Sequence, residues 1–533
     1  MLRALLLAIP LAAVGSEVGS KNCAPCHAQI ARAYLATPMA QSSGVAGAGA
    51  FRESFEHANF TSPGGSVRYR VSRDPRGFSF NFDQGGLEGN RRLDYYIGSG
   101  SVGRSYLSLI GNFLFQAPVS YYSSVARWDV SPGYEKSEDI NLIRGVETSC
   151  LKCHASRVQS VEGTVNGYAS PPFLEGGVSC ERCHGPGETH LARMKSGSKA
   201  GGTAIVNPAK LDPVRRDSVC AQCHLSGEVE IAKAGAGAFR AGDVLSDYVS
   251  VFVRSGADRA MPVISHYQRM TQSACWKAAE GKLWCGTCHD PHTLPPADKK
   301  TAYFRDRCFQ CHTDASCKAP AASRAGASNG CIACHMPRSE VTTVQHAVFT
   351  DHSIPRVPRA APGGGIPSNF DLTAFGGAPA EDRELGLAYA SVALRDNNRV
   401  WGMRAFELLR KEYSRHPEDL KVGGQLAQMY DRMGDERKAC DIYALIVAAD
   451  PASVVPAVNL GTCLAKQGRI QESIRLWKGA LQRNPALESA RLNLAVALYR
   501  EGDLPGARAT LNEALVFNPA SRRIRELLQE MSR

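Results

Sequence analysis

Long apolar runs are almost missing from this 533-residue chain. After the first fourteen residues no stretch is long enough to cross a bilayer as a helix. Histidine is scarce, with 14 in all. No Cys-x-x-Cys pair stands without a His directly after it, whereas a structural zinc site would use paired Cys-x-x-Cys units with no such rule. No cysteine stands where the opening apolar run ends, so a lipid anchor is not indicated.

What the chain does have is one short motif repeated seven times. Cys23/Cys26/His27 stands alone near the start. Cys150/Cys153/His154, Cys180/Cys183/His184, Cys220/Cys223/His224, Cys285/Cys288/His289, Cys308/Cys311/His312 and Cys331/Cys334/His335 crowd into under two hundred residues. Cys-x-x-Cys-His is the attachment signal of c-type haem. Its two thiols add across the vinyl groups, and the adjacent His falls under the iron as proximal ligand. The motifs predict seven covalent haems. Four cysteines remain: Cys275, Cys317, Cys440 and Cys463. In an oxidising compartment they could form two disulfides, or stay as buried thiols.

Ala4 to Val14 is an apolar run behind Arg3, and Ala13-Val14-Gly15 has the small-x-small form of a signal-peptidase site. Residues 1–15 are therefore read as a cleaved secretory signal. The expected location is the periplasm or beyond, including the cell surface, since c-type haem is attached after export. The formal charge is +11, or +10 once Arg3 leaves with the signal. Haem propionates and iron must be counted with it, which brings the balance to roughly +3 oxidised and −4 reduced. No nucleic-acid partner is inferred from the basic composition.

Between the first motif and the cluster, about residues 51–145, the pattern changes. Val67-Arg68-Tyr69-Arg70-Val71 alternates, Asp74-Pro75-Arg76-Gly77 turns, and Phe78-Ser79-Phe80-Asn81-Phe82 alternates again, a β-hairpin signal. Further strand-like runs lie at 95–97, 106–110 and 113–122. From Cys150 to about Arg356 only short helices at each motif are expected, joined by Gly/Pro-rich loops, with porphyrin supplying much of the buried apolar surface. The apoprotein is not expected to fold there. Residues 357–380 read as a linker in which Pro and Gly break any regular element.

From 381 to 533 the chain is helical and periodic. Pro417, Pro451, Pro485 and Pro519 are spaced evenly, as are Gly434, Gly468 and Gly502. The period and the pattern Leu460-Gly461, Ser473, Trp477, Ala480, Pro485 resemble the tetratricopeptide repeat. The first unit is degenerate and Ser521–Arg533 looks like a polar cap. Such arrays usually offer a concave face to a protein partner, here a redox partner. The expected fold class is mainly α: a heptahaem cytochrome domain over 16–356, with sparse short helices and a small antiparallel β insert, then a repeat solenoid.

Seven irons need seven ligands on the opposite side. Outside the motifs the candidates are His57, His190, His266, His292, His346 and His352, with His416 assigned to the surface of the array. That set is one short. Met39 could supply the seventh, since methionine is a known axial ligand. If Met39 only packs, one iron is five-coordinate. His292 is too close to His289 to reach the far side of the same iron, so it would serve a neighbour.

Gly177-Val178-Ser179-Cys180-Glu181-Arg182-Cys183-His184-Gly185-Pro186-Gly187 with His190 resembles the cytochrome c-554 family. Cys331-Ile332-Ala333-Cys334-His335-Met336-Pro337 followed by Asp351-His352 is similar to a late haem segment of pentahaem nitrite reductases. The order of a haem motif, Tyr96-Ile97-Gly98-Ser99-Gly100 with Arg104-Ser105-Tyr106-Leu107, Trp128 to Gly133, the motif cluster and the repeats resembles bacterial multihaem cytochromes fused to tetratricopeptide repeats. The resemblance implies His190, His292 and His352 as distal ligands. Some family members carry a His near the position of Val102, and this chain does not. The nitrite reductases use a haem with a lysine proximal ligand, and no Cys-x-x-Cys-Lys occurs here. The expected function is electron transfer along the haems. The alternative is an oxidoreductase acting on a small nitrogen or sulfur compound at one open iron.

Overall fold

Aromatic side chains at alternate positions build the first large core. The computed structural model describes residues 15–48, 53–197, 204–255, 266–340, 348–357, 371–377 and 379–532. The opening apolar run, most of the Pro/Gly linker and His346 lie outside the described residues. Strands β1 (Ser43–Val45), β2 (Asn59–Thr61), β3 (Arg68–Asp74), β4 (Gly77–Gln84), β5 (Leu87–Leu93), β6 (Tyr95–Ile97), β7 (Gly103–Ile110), β8 (Phe113–Tyr122) and β9 (Arg127–Val130) form two antiparallel sheets. One has the order β2-β3-β4-β5 and the other β1-β6-β7-β8-β9. The hairpin expected from alternation pairs Tyr69 with Phe82 and Asp74 with Gly77. Period-two spacing sends Tyr69, Val71, Phe78, Phe80 and Phe82 to one face, where they meet Tyr106, Val119, Tyr121 and Trp128 of the second sheet.

The expectation of a mainly α chain with a small β insert is corrected here. The molecule is 45% helix and 18% strand, and its N-terminal part is not an assembly of sparse helices. Sheet structure continues into the motif region. Strands β10 (Ala155–Ser160) and β11 (Tyr168–Gly176) form a ribbon between the second and third motifs. Next come β12 (Val229–Ala232) and β13 (Val249–Arg254), and then β14 (Arg338–Glu340) paired with β15 (Val348–Thr350). Strand β16 (Leu372–Ala374) falls inside the stretch read as a linker, so that stretch does hold a regular element, and it pairs antiparallel with β13. Pairings between residues more than a hundred positions apart leave no local periodic signal, and three-residue strands are too short to show alternation.

The helical half consists of Asp382–Asp396, Arg399–Arg415, Leu420–Arg432, Glu436–Ala449, Val454–Lys466, Ile470–Arg483, Glu488–Arg500, Leu504–Phe517 and Arg522–Glu530. Gly434, Gly468 and Gly502 sit at φ 84°, 79° and 84° in successive turns between paired helices. That left-handed backbone, rather than space, calls for glycine there. In the degenerate first pair Asn397 takes the same conformation at φ 51°. Gly461 serves close approach instead, since a Cβ there would lie 2.6 Å from Trp477 Nε1.

The leftover cysteines divide. Cys440 and Cys463 form a disulfide across two consecutive repeats, while Cys275 and Cys317 are free. The bond closes a separation of 23 residues. A loop of that size constrains the unfolded chain by about 3 kcal/mol. The Cys440→Ser/Cys463→Ser protein is expected to lose about 3 kcal/mol of unfolding free energy, seen as a lower urea midpoint of the far-ultraviolet helix signal.

The array is tied to the rest of the chain at both ends. At its start, Leu387, Tyr389 and Trp401 share a core with Ile231, Phe252 and Leu372. Arg395 pairs with Glu228 at 2.7 Å, and Arg254 bridges Glu228 and Asp396. At its end, the Leu142 N–H donates to the Phe517 carbonyl at 2.6 Å and the Phe115 and Phe517 rings lie 5.4 Å apart. The Val165 N–H donates to the Arg483 carbonyl at 3.1 Å.

Candidate haem centres

Each motif is placed by its own short element. Cysteines lead one-turn helices at Cys180–His184, Cys285–Cys288 and Cys331–His335, while Cys220 and Cys223 close the longer helix Pro213–His224. Cys308 lies at the end of Lys300–Phe309, and Cys150 falls within Thr148–Leu151. Cys23, Cys26 and His27 lie between a single turn at Ser20–Asn22 and the helix Ala28–Leu35.

The structure brings the motifs together in an order that differs from chain order. The Cys23 thiol is within hydrogen-bond reach of Cys180, Cys153 of Cys223, Cys220 of Cys285, and Cys308 of Cys331. Burial pushes the Cys23 and Cys308 thiols up to about 12 and Cys183 up to about 11, with neighbouring thiols adding. Metal-binding thiolates need the opposite shift. Thiols held protonated by burial fit side chains that end as neutral thioethers. Cys153 goes the other way, lowered by its hydrogen bond with Cys223.

The two thiols of one motif do not share one environment, although the motif gives them equal roles. Cys26, Cys150, Cys311 and Cys334 are exposed, whereas their partners Cys23, Cys153, Cys308 and Cys331 are half-buried. In each of these four motifs the half-buried thiol is the one that meets a thiol of another motif. Cys26 and Cys311 depart furthest from a site closed by protein, because His27 and His312 beside them are exposed as well. Cys26 and His27 stand in the turn before Ala28–Leu35, while the contact with the third motif is made through Cys23. Cys183, Cys220, Cys223, Cys285 and Cys288 are half-buried like Cys180.

The histidines pair across motifs. His27 faces His190 with ring centroids 6.5 Å apart and planes at 22°. His184 faces His292 at 6.0 Å and 12°. His224 and His266 are 5.7 Å apart, and His289 and His352 are 6.2 Å apart. Two imidazoles bound to opposite sides of one iron, each at a metal–nitrogen distance of about 2 Å, place their centroids about 6 Å apart. All four pairs fit an iron between the rings. His266 and His352, at 4.7 Å, are too close for that and touch edge to face.

Protonation and orientation favour the same use. Burial, with the neighbouring imidazoles, pushes His266 down to about 3 and His289 to about 4. Burial also lowers His154, His224, His292 and His352. The neutral ring is the form that binds metal. Nδ1 of His184, His335 and His352 lies 2.7 Å from the Val206 carbonyl, 2.8 Å from the Pro355 carbonyl and 2.9 Å from the Thr350 carbonyl. With Nδ1–H donating, Nε2 is left bare and aimed. Nδ1 of His154 and of His224 is buried without a hydrogen-bond partner.

The other candidates fall elsewhere. His57 is exposed on the loop entering β2, and His416 is exposed beside Glu418 in the array. His312 is exposed. His346 lies outside the described residues. Met39 is half-buried, and its carbonyl accepts from the Val178 N–H at 2.9 Å and from Ser42 Oγ at 2.8 Å. The same Ser42 hydroxyl lies 3.0 Å from the His154 carbonyl, so the Met39 loop is tied to the second motif. Among the described residues no group of three or more His, Cys, Asp or Glu is arranged to hold a metal ion.

Sequence reasoning did not single out the groups that hold these rings. Arg269 and Asp351 form a two-pronged ion pair, Nε–Oδ1 and Nη2–Oδ2 both 3.0 Å. Burial raises the Asp351 carboxyl, but Arg269 and the Ser353 N–H and hydroxyl hold it below its ordinary range. Asp351 was visible only as the neighbour of His352. Arg269 carries no motif signal at all.

Residues 121–185, which include the second and third haem motifs, match the Cytochrome c554 and c-prime family. Residues 464–531 match a tetratricopeptide repeat family. No curated protein matches the chain at a significant level. Similar solved structures include a point mutant of MamA, 21% identical, covering 28% of this chain and 83% of that one at a TM-score of 0.25. MamA 41-end from Desulfovibrio magneticus RS-1 is 17% identical, covering 29% and 86% at 0.26. The first TPR of Spaghetti, bound to an HSP90 peptide, is 18% identical, covering 22% and 91% at 0.21. The chain therefore joins a segment of the cytochrome c554 and c-prime family to C-terminal tetratricopeptide repeats.

Proposed function

We propose that this chain is an exported electron-transfer protein that carries seven covalent haems and docks a redox partner through its repeats. The observation that carries the reading is the succession of thiol contacts between motifs, Cys23/Cys180, Cys153/Cys223, Cys220/Cys285 and Cys308/Cys331. Attachment points this close require neighbouring redox centres, as relay of electrons demands. Haem supplies one-electron exchange at iron, tuned by axial ligand, burial and hydrogen bonding. The chain supplies the rest. Its thiols tether, four of its motif histidines face His190, His292, His266 and His352 in pairs, and backbone carbonyls orient the rings of His184 and His352.

Tetratricopeptide repeats mediate protein–protein contacts, and no helix among the described residues is long and apolar enough to cross a membrane. The disulfide in the array and the haem motifs both suit an oxidising compartment.

Spectra of the purified, fully loaded protein with and without carbon monoxide test the reading. Seven haems per chain are expected, with low-spin signals from the four histidine-paired centres that carbon monoxide does not perturb. Export is checked by the N-terminus and cell fraction of the mature protein. A high-spin centre that binds carbon monoxide, with saturable oxidation of the reduced protein by one small nitrogen or sulfur compound, would move the reading to an oxidoreductase.

A further inference from the structure

Two of the paired rings are not independent. His266 opens the helix His266–Gln272, and His352 lies 86 positions further along the chain, just past β15. Their rings touch at 4.7 Å while each faces a different motif histidine, His224 and His289. One buried ion pair joins the two segments that bear them. Arg269 sits one helical turn after His266, Asp351 directly precedes His352, and both side chains are 3% exposed.

Every group of the pair is committed. Arg269 Nη1 donates to Gln272 Oε1 at 3.0 Å, while Nε and Nη2 take the two carboxylate oxygens. Asp351 also accepts from the Ser353 N–H and hydroxyl, both at 2.8 Å, and its own N–H donates to the Pro337 carbonyl, two residues past His335. A two-pronged guanidinium–carboxylate pair fixes angle as well as distance. Lysine cannot reproduce it.

We infer that Arg269 and Asp351 are shared positioning residues, one clip that sets the distal imidazoles of two neighbouring centres at once. The inference rests on the proposed haem ligation. Loosening the clip lets both rings leave their axial positions, so the centres at His224 and His289 change together.

The test is the Asp351→Asn protein, full-length and haem-loaded. It keeps the shape of the side chain but loses the charge and one acceptor. Haem content per chain, low-spin electron paramagnetic resonance signals, carbon monoxide uptake and redox midpoints are measured against the unaltered protein. Expected are unchanged haem content, loss of low-spin intensity from two centres, carbon monoxide uptake at the same two, and a rise in both midpoints. Arg269→Lys, which keeps the charge but not the fork, is expected to give the same pair of changes in smaller measure, and it serves if Asp351→Asn does not accumulate. Lys411→Ala, which removes an exposed ion pair with Asp382 in the array, is the control and should alter none of these. Spectra and midpoints that stay unchanged in both clip variants overturn the inference. So does a change confined to one centre. If the unaltered protein itself shows no bis-histidine low-spin signals, the ligation reading has failed, and that result is distinct from a clip that does not matter.

Discussion

When both cysteines of the last three motifs are replaced by alanine, so that Cys285, Cys288, Cys308, Cys311, Cys331 and Cys334 can no longer be tethered, residues 285–335 are expected to become freely digestible. The helices Cys285–Cys288, Lys300–Phe309, Ala321–Gly326 and Cys331–His335 contain no buried residue. Protein side chains alone therefore give this stretch no apolar core, and haem must supply the burial that offsets chain entropy. Metal- and cofactor-coupled segments of this kind fold only when loaded. The sheets and the repeats have cores of their own, centred on residues such as Trp128 and Trp477. Limited proteolysis followed by mass spectrometry should return intact fragments from both of those parts and none spanning 285–335. A protease-resistant 285–335 segment in the alanine protein would sink the idea.

Trp128→Ala is expected to cost about 3–5 kcal/mol of stability, the range for deleting a large aromatic from a packed core. The ring is 1% exposed and lies 5.0 to 6.4 Å from the rings of Tyr106, Tyr121, Phe55 and Phe78. Its indole N–H also donates to the Ser54 carbonyl at 2.8 Å. The damage should travel to the second motif. Strand β8 hydrogen-bonds the segment that leads into Cys150, through Gln116 N–H to the Arg144 carbonyl and Val146 N–H to the Leu114 carbonyl, both 2.9 Å. Denaturant unfolding followed by far-ultraviolet circular dichroism reads the stability loss. Haem content of the purified variant reads the effect on Cys150 and Cys153. A stability change under about 1 kcal/mol would mean that the two sheets do not share one core.

The two outcomes together divide the molecule by what stabilises it. The sheets and the repeats are held by side-chain packing, whereas the helices from Cys285 to His335 bury no side chain and, on the proposed reading, depend on covalent haem. Under that proposal, haems tethered in a segment with so little protein core lie close together. It also makes the fixed ends matter: the array is anchored on β12, β13 and β16 at one end and on Leu142 and Phe115 at the other. Those anchors restrict which face of the array is left to meet a partner.

Much of this was legible in the residues alone. Cys-x-x-Cys-His is a local signal, because covalent attachment needs two thiols and a histidine within five positions. Which thiol of a motif would be covered was not legible: Cys23 meets Cys180, brought from another segment, while Cys26 stays exposed. The repeats are legible for the same reason as the motifs, since glycine at a left-handed turn and proline at a helix junction recur wherever the same local geometry recurs. The β3–β4 hairpin followed from alternation and a turn. The strands of the motif region were hidden. Strand β16 pairs with β13 across more than a hundred residues, and β10 and β11 carry no clean alternation, so only the folded chain reveals them. The pairing of rings was equally hidden. Nothing in the order of residues matches His190 to His27, His292 to His184 or His266 to His224, because each match joins separate segments that meet only in the folded chain. Residue order dictates which atoms can bind haem and where helices must stop and turn, since those depend on neighbours along the chain. Folding dictates which motifs adjoin, which rings face each other and that one buried Arg–Asp pair joins the segments bearing His266 and His352, because those depend on contacts in space.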